Sequence, residues 1–130
     1  MPFAKSAKAT PTYFGSLTGA LVLRMSTEVE FTARVRFDLY PESVSGRSDV
    51  VYSPARPNHR VEGFEHFFIS QLDFIGSNFL KPGGSITANA QGVISSEMIN
   101  SLKNGGKWLV YATPQRLIGE INNIEWLVPH

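Results

Sequence analysis

The sequence predicts an all-β protein. The architecture expected is an antiparallel β-sandwich, with a small closed β-barrel as the alternative and one short α-helix near residues 96–104. Three observations lead there. From Glu28 to Leu39 the chain alternates without a break: Val29, Phe31, Ala33, Val35, Phe37 and Leu39 are apolar, and Glu30, Thr32, Arg34, Arg36 and Asp38 stand between them. That is the pattern of a strand with one face on a core and the other in water. With 11 Gly and 8 Pro in 130 residues, turns are frequent and the strands between them short. Helical spacing with capping signals is confined to one stretch, residues 95–104.

Residues 1–12 read as a flexible arm of small residues, two lysines and two prolines, and residues 13–130 as one β domain. A first strand is expected over Tyr13–Met25, where Leu17, Leu21, Leu23 and Met25 share one parity. A three-residue loop, Ser26-Thr27-Glu28, would join it to the next strand, with Leu23 facing Phe31, Leu21 facing Ala33 and Leu17 facing Phe37. Pro41 ends that second strand, and residues 41–48 form a loop around Gly46.

A short strand over Asp49–Tyr52 precedes an irregular segment, residues 53–60, with two prolines and a basic cluster of Arg56, His59 and Arg60. One bent strand or a strand pair is expected from Val61 to Ile75, with Phe64, His66, Phe68, Leu72 and Phe74 on its apolar side. Turns follow at Gly76-Ser77-Asn78 and Pro82-Gly83-Gly84. Ile86, Ala88 and Ala90 alternate with Thr87, Asn89 and Gln91, another strand. In the helix, Ser95 or Ser96 caps the start, Glu97 sits in the first turn, and Met98, Ile99 and Leu102 make the apolar stripe. Asn104-Gly105-Gly106 ends it. Strands at Trp108–Ala112, Arg116–Asn122 and Ile124–Val128 close the chain.

Composition excludes several chemistries. There is no cysteine, which rules out disulfides, thiolate metal sites and cysteine nucleophiles and suits the cytoplasm. No signal peptide is read, because Gly15, Ser16, Thr18, Gly19 and Arg24 break the early apolar run, and no segment approaches the length that spans a bilayer. A net charge of +1 gives no overall drive toward nucleic acid or anionic lipid. Charged residues are only 18%, which fits either an uncharged polar surface or one partly covered by other copies of the chain.

The stretch from Gly84 to Ile124 loosely resembles the CHRD domain, a secreted β module. Trp108-Leu109-Val110-Tyr111-Ala112-Thr113 and Gly119-Glu120-Ile121 carry the likeness. The family's histidine signatures have no counterpart in this chain, and the family is not assigned.

No catalytic residue, metal ligand or cofactor site is expected, since no nucleophile elbow, phosphate loop or metal-ligand spacing occurs. His66 is expected on an apolar strand face, as a core histidine or a pocket base. Arg56, His59 and Arg60 make the best candidate anion grip, against the reading of an ordinary solvated loop. Arg34 and Arg36 on an outer strand face offer a nucleic-acid surface that Glu30 and Asp38 disfavour. Trp108, Tyr111 and Trp126, with Phe67 and Phe79, are more large rings than one core of this size needs, which points to a subunit interface or ligand surface. The expectation is therefore a non-catalytic domain that acts by binding or self-assembly, as a homo-oligomer or with a small ligand or anion as partner. The alternative is a small-molecule-binding barrel, with His66 or Tyr111 in its cavity.

Overall fold

The computed structural model describes residues 27–128. The expected arm, the expected strand over Tyr13–Met25 and the terminal His130 lie outside them. Eight strands and two helices follow in order: β1 (Glu28–Leu39), α1 (Glu42–Ser45), β2 (Val51–Tyr52), β3 (Asn58–Val61), β4 (Ile69–Ile75), β5 (Phe79–Leu80), β6 (Ser85–Ser95), α2 (Ser96–Lys103), β7 (Trp108–Thr113) and β8 (Arg116–Val128). The all-β class holds. Six strands form one antiparallel sheet in the order β3-β7-β8-β1-β6-β4, and β2 and β5 form a separate two-stranded ribbon. Both expected architectures leave a trace: there are two sheets, and the larger curls into a half-barrel. Its end strands meet, joined by single bridges at Ala55–Leu72 and His59–Phe68.

β1 runs through the centre. Its inward residues Phe31, Ala33, Val35, Phe37 and Leu39 are buried, while Glu30, Arg34 and Arg36 face out. The alternation in the sequence is thus realised residue by residue. β6 pairs along one edge from Glu28 to Asp38, and β8 along the other from Thr32 to Leu39. That corrects one expectation. The backbones of Ala33 and Phe37 are paired on both sides, so neither can form the hairpin pairing expected with Leu21 and Leu17. A two-edged strand that is fully paired has no third neighbour.

α2 covers one end of the core. The Ser95 hydroxyl accepts the Met98 backbone N–H at 3.2 Å, so Ser95 is the N-cap, and Met98, Ile99 and Leu102 are buried. Leu80 of the ribbon and Ala55 join the same core. Inside, the Phe31 ring meets Phe68, Trp108 and Trp126 edge-on at 6.2, 5.8 and 5.9 Å. Burying a ring of this size stabilises by roughly 2–3 kcal/mol, before the edge-to-face contacts are counted.

Gly92 lies opposite Phe31 on one side and Ser70 on the other. A Cβ there would come within 1.9 Å of the Ile69 carbonyl oxygen, so only glycine permits β4 to approach β6 this closely. β8 carries irregularities in its pairing with both β1 and β7, and Asn123 sits at a positive φ of 51° between its paired segments. Among the described residues no helix is long and apolar enough to cross a membrane.

Candidate functional site

The segment expected to be a basic loop is where the half-barrel joins its own edges. Ala55, His59 and Val61 point inward and are buried, whereas Arg56 is exposed and Asn58 and Arg60 are half-buried. The two bridges share one antiparallel register, which sets Pro57 opposite Ser70. Ala55 and Leu72 exchange backbone hydrogen bonds at 2.9 and 2.8 Å, and the Phe68 N–H donates to the His59 carbonyl at 2.8 Å. Alternation of paired positions would require an N–H from residue 57 to the Ser70 carbonyl. Proline has none.

The His59 side chain supplies the missing donor. Its Nε2–H donates to the Ser70 carbonyl at 3.2 Å, and its Nδ1 accepts the Trp108 Nε1–H at 2.9 Å. Because an indole nitrogen only donates, Nδ1 must be the unprotonated nitrogen and Nε2 the protonated one. The ring is wholly buried, 5.3 Å from Phe68. Burial pushes its pKa down to about 4, partly opposed by the hydrogen bond to the Ser70 carbonyl. His59 is therefore a neutral structural pin with both nitrogens occupied, not a member of an anion grip. Its signal was present in the sequence: Ala55, His59 and Val61 alternate with Arg56, Asn58 and Arg60, and the proline obscured it.

His66 is the opposite case. It was expected on an apolar strand face, but β3 ends at Val61 and β4 starts at Ile69, so residue 66 falls in a bend and is exposed. It lines a hollow of about 330 Å³ with Glu28, Phe64 and Glu97. Trp108 has no exposed surface, and its place is the core. Trp126 is half-buried and stacks on Trp108 at 6.4 Å, with the Lys103 ammonium 5.9 Å from its ring centre. Of the five rings in apparent excess, the two tryptophans are thus absorbed by one aromatic cluster around Phe31.

Arg56 and Arg60 do share a face. The Arg56 Nε donates to the Gln71 Oε1 at 2.7 Å, and Gln71 in turn donates to the Asp73 carboxylate at 3.2 and 3.3 Å. The Arg60 Nη2 donates to the Tyr111 hydroxyl at 2.8 Å, and its guanidinium carbon lies 5.1 Å from the Tyr111 ring centre and 5.8 Å from that of Phe67. Phe67 meets Tyr111 edge-on at 5.4 Å. Tyr111 is buried under these two side chains although it points away from the core. Among the described residues no carboxylate lies within ion-pair distance of Arg56 or Arg60; the ion pair present joins Arg36 to Asp38. Beside Arg56 an open groove of about 650 Å³ runs over Asn58, Phe67, Ile69, Gln71 and Val128.

The two arginines of β1 are occupied. Arg36 binds Asp38 at 2.7 Å and Ser85 at 3.2 Å, Asn122 donates to Asp38 at 2.7 Å, and Arg34 donates to Asn89 at 3.0 Å. Burial alone would raise the Asp38 pKa, but the hydrogen bonds from Ser85, Asn122 and Arg36 and the Arg36 charge together hold it below the ordinary value. Tyr40 donates to Glu120 at 3.0 Å, and burial together with that carboxylate pushes its pKa up to about 12. Among the described residues no group of three or more histidine, aspartate or glutamate side chains could hold a metal ion. The chain matches no protein-family model and no curated protein sequence.

Proposed function

We propose that this protein is a non-catalytic binding module whose ligand carries carboxylate or phosphate groups and lies along the face of Arg56, Asn58 and Arg60. One observation carries the reading: two arginines on one strand face are held by neutral partners and not by carboxylates, and Arg56 lines an open groove that Glu30 enters from the far side. A guanidinium fixed by Gln71 or by Tyr111 is already oriented, so less freedom is lost when an anion binds. Residues 56 and 60 lie about 13 Å apart at the rise of a strand, which suits an extended anion over a compact one. The missing cysteines agree with a reducing compartment such as the cytoplasm.

The test is a calorimetric titration with tripolyphosphate and with a hexaglutamate peptide. Saturable binding that weakens as salt rises is expected. Arg56→Gln and Arg60→Gln should each weaken it about tenfold, the equivalent of about 1.4 kcal/mol. Absence of saturable binding of both probes would overturn the reading.

Self-assembly is the second reading, and a separate patch favours it. Tyr52 and Phe79 face each other across the ribbon and are 67% and 42% exposed, with Ile75 exposed at the end of β4. Native mass spectrometry should then show a discrete multiple of the subunit mass that Tyr52→Glu converts to monomer.

A further inference from the structure

We infer that the join between residues 55–59 and β4 is a door in the half-barrel that acid opens, with the His59 side chain as its latch. The inference does not depend on the anion-binding reading. β3 is fixed to β7 by a continuous ladder of four residue pairs, from Asn58–Tyr111 to Val61–Trp108. The join to β4 rests instead on the two single bridges, with three backbone hydrogen bonds across it. The Ala55 N–H donates to the Leu72 carbonyl at 2.9 Å, the Leu72 N–H to the Ala55 carbonyl at 2.8 Å and the Phe68 N–H to the His59 carbonyl at 2.8 Å. Pro57 removes a further one, and the His59 ring stands in for it on the Ser70 carbonyl. The Ser70 hydroxyl is buried with no hydrogen-bond partner among the described residues, so it loses no bond when the join parts. Local opening follows the weakest set of contacts, and in the larger sheet that set is this join.

The latch holds only while the ring is neutral. Its Nδ1 accepts the Trp108 indole N–H at 2.9 Å, and a proton on Nδ1 would set two donors against each other at that distance. No charged group is placed to relieve the conflict. Arg56 and Arg60 face outward, as do Asp73 on β4 and Tyr111 on β7. α2 buries Met98, Ile99 and Leu102 and leaves Glu97 and Lys103 exposed, and β1 brings Phe31 to the cluster. Glu62, Glu65, His66 and Lys107, in the turns nearby, are exposed. Burial therefore holds the ring pKa down to about 4, against an ordinary value of 6.5. At pH 4.5 a ring that has reached water is protonated about a hundredfold over neutral, which favours a conformation that lets it out. The β7 ladder closes one side and Trp108 the interior, so the way out is past Phe68, through the join. Opening uncovers Ala55, Phe68 and Leu72 and frees two strand edges, while β1 keeps both its neighbours.

Amide exchange read by NMR at pH 6.5 and 4.5, corrected for intrinsic rates, tests this in the natural chain, in His59→Gln and in a chain carrying both Arg56→Cys and Gln71→Cys. Residues 56 and 71 lie opposite each other in the register of the two bridges, and the Arg56 Nε reaches the Gln71 Oε1 at 2.7 Å. A disulfide there clamps the join from outside, in a chain with no other cysteine. In the natural chain the Ala55, Phe68 and Leu72 amides should lose protection at least tenfold between pH 6.5 and 4.5, and at pH 4.5 should be at least tenfold less protected than those of β1. The oxidised clamp should bring them to the level of β1, the reduced one should not, and His59→Gln should lack the fall with acid. Should His59→Gln fail to fold, the Trp108 indole N–H of the natural chain takes its place, and its exchange should rise with acid alongside the three amides. Equal protection of the join and of β1 at pH 4.5 would overturn the inference, since opening would then be global unfolding. A fall with acid that persists in His59→Gln, or an indole N–H that does not follow the amides, would overturn it too.

Discussion

At the level of single residues, His59 governs how stability responds to acid. Its folded pKa, about 4, lies below its ordinary value of 6.5. Above pH 6.5 neither state is protonated there, and the contribution of the pin is complete. As the pH falls below 6.5 the unfolded chain gains a proton that the folded chain refuses, and stability drops until about pH 4. The full loss is roughly 3 kcal/mol. Urea denaturation at pH 7 and 4.5 should show this drop in the natural protein and a smaller one in His59→Gln. At pH 7 the substitution should itself cost about 2–4 kcal/mol by disturbing the bonds to Trp108 and Ser70. Asp38 acts in a lower window: its depressed pKa gives stability that is lost as the pH falls below the ordinary carboxylate range. Residue roles were the least legible part of the sequence. His59 and His66 exchanged environments because burial of a histidine depends on where a strand begins, and a proline hid one start while two aromatic residues, Phe64 and Phe68, imitated another.

Single elements were more legible where one period runs for several residues. β1 and α2 follow their patterns because burial rewards each inward position separately, so the signal accumulates along the element. β3 has four residues and a neighbouring Pro57, too few for a period to emerge. Ser95→Ala should lower stability by about 1 kcal/mol in urea, through loss of the cap on α2. Gly92→Ala should cost more than about 3 kcal/mol or prevent folding, since the new methyl meets the β4 backbone and not a movable side chain. Pro57 and His59 act on one carbonyl. In Pro57→Ala a backbone N–H becomes available to Ser70, so His59→Gln should cost about 1 kcal/mol less in that background, measured by a double-mutant cycle.

Across the whole molecule, local pattern identifies strands but not their neighbours. The expected hairpin before β1 was the economical guess, because adjacent strands usually pair. The sheet instead sets β1 between β6 and β8, and nothing in the residues of β1 names partners whose own inward positions are the same small and branched types. Of the proposed anion face the sequence offers Arg56 and Arg60; Gln71 of β4, Tyr111 of β7 and Phe67 from the segment between β3 and β4, which contact them, lie apart in the sequence and are invisible as a group. Such long-range pairing makes folding slow. Stopped-flow refolding followed by tryptophan fluorescence should give a main phase in milliseconds to seconds, not microseconds. β1 leaves the ribosome before either of its neighbours exists, and β8 completes the second of its two edges only after residue 116 has been made. Until β6 has been made, Phe31, Val35 and Phe37 have neither of their described neighbours to pair with. During synthesis β1, the first of the described strands, is therefore the one most in need of a chaperone, and a stalled or shortened chain would present it as a ready aggregation seed.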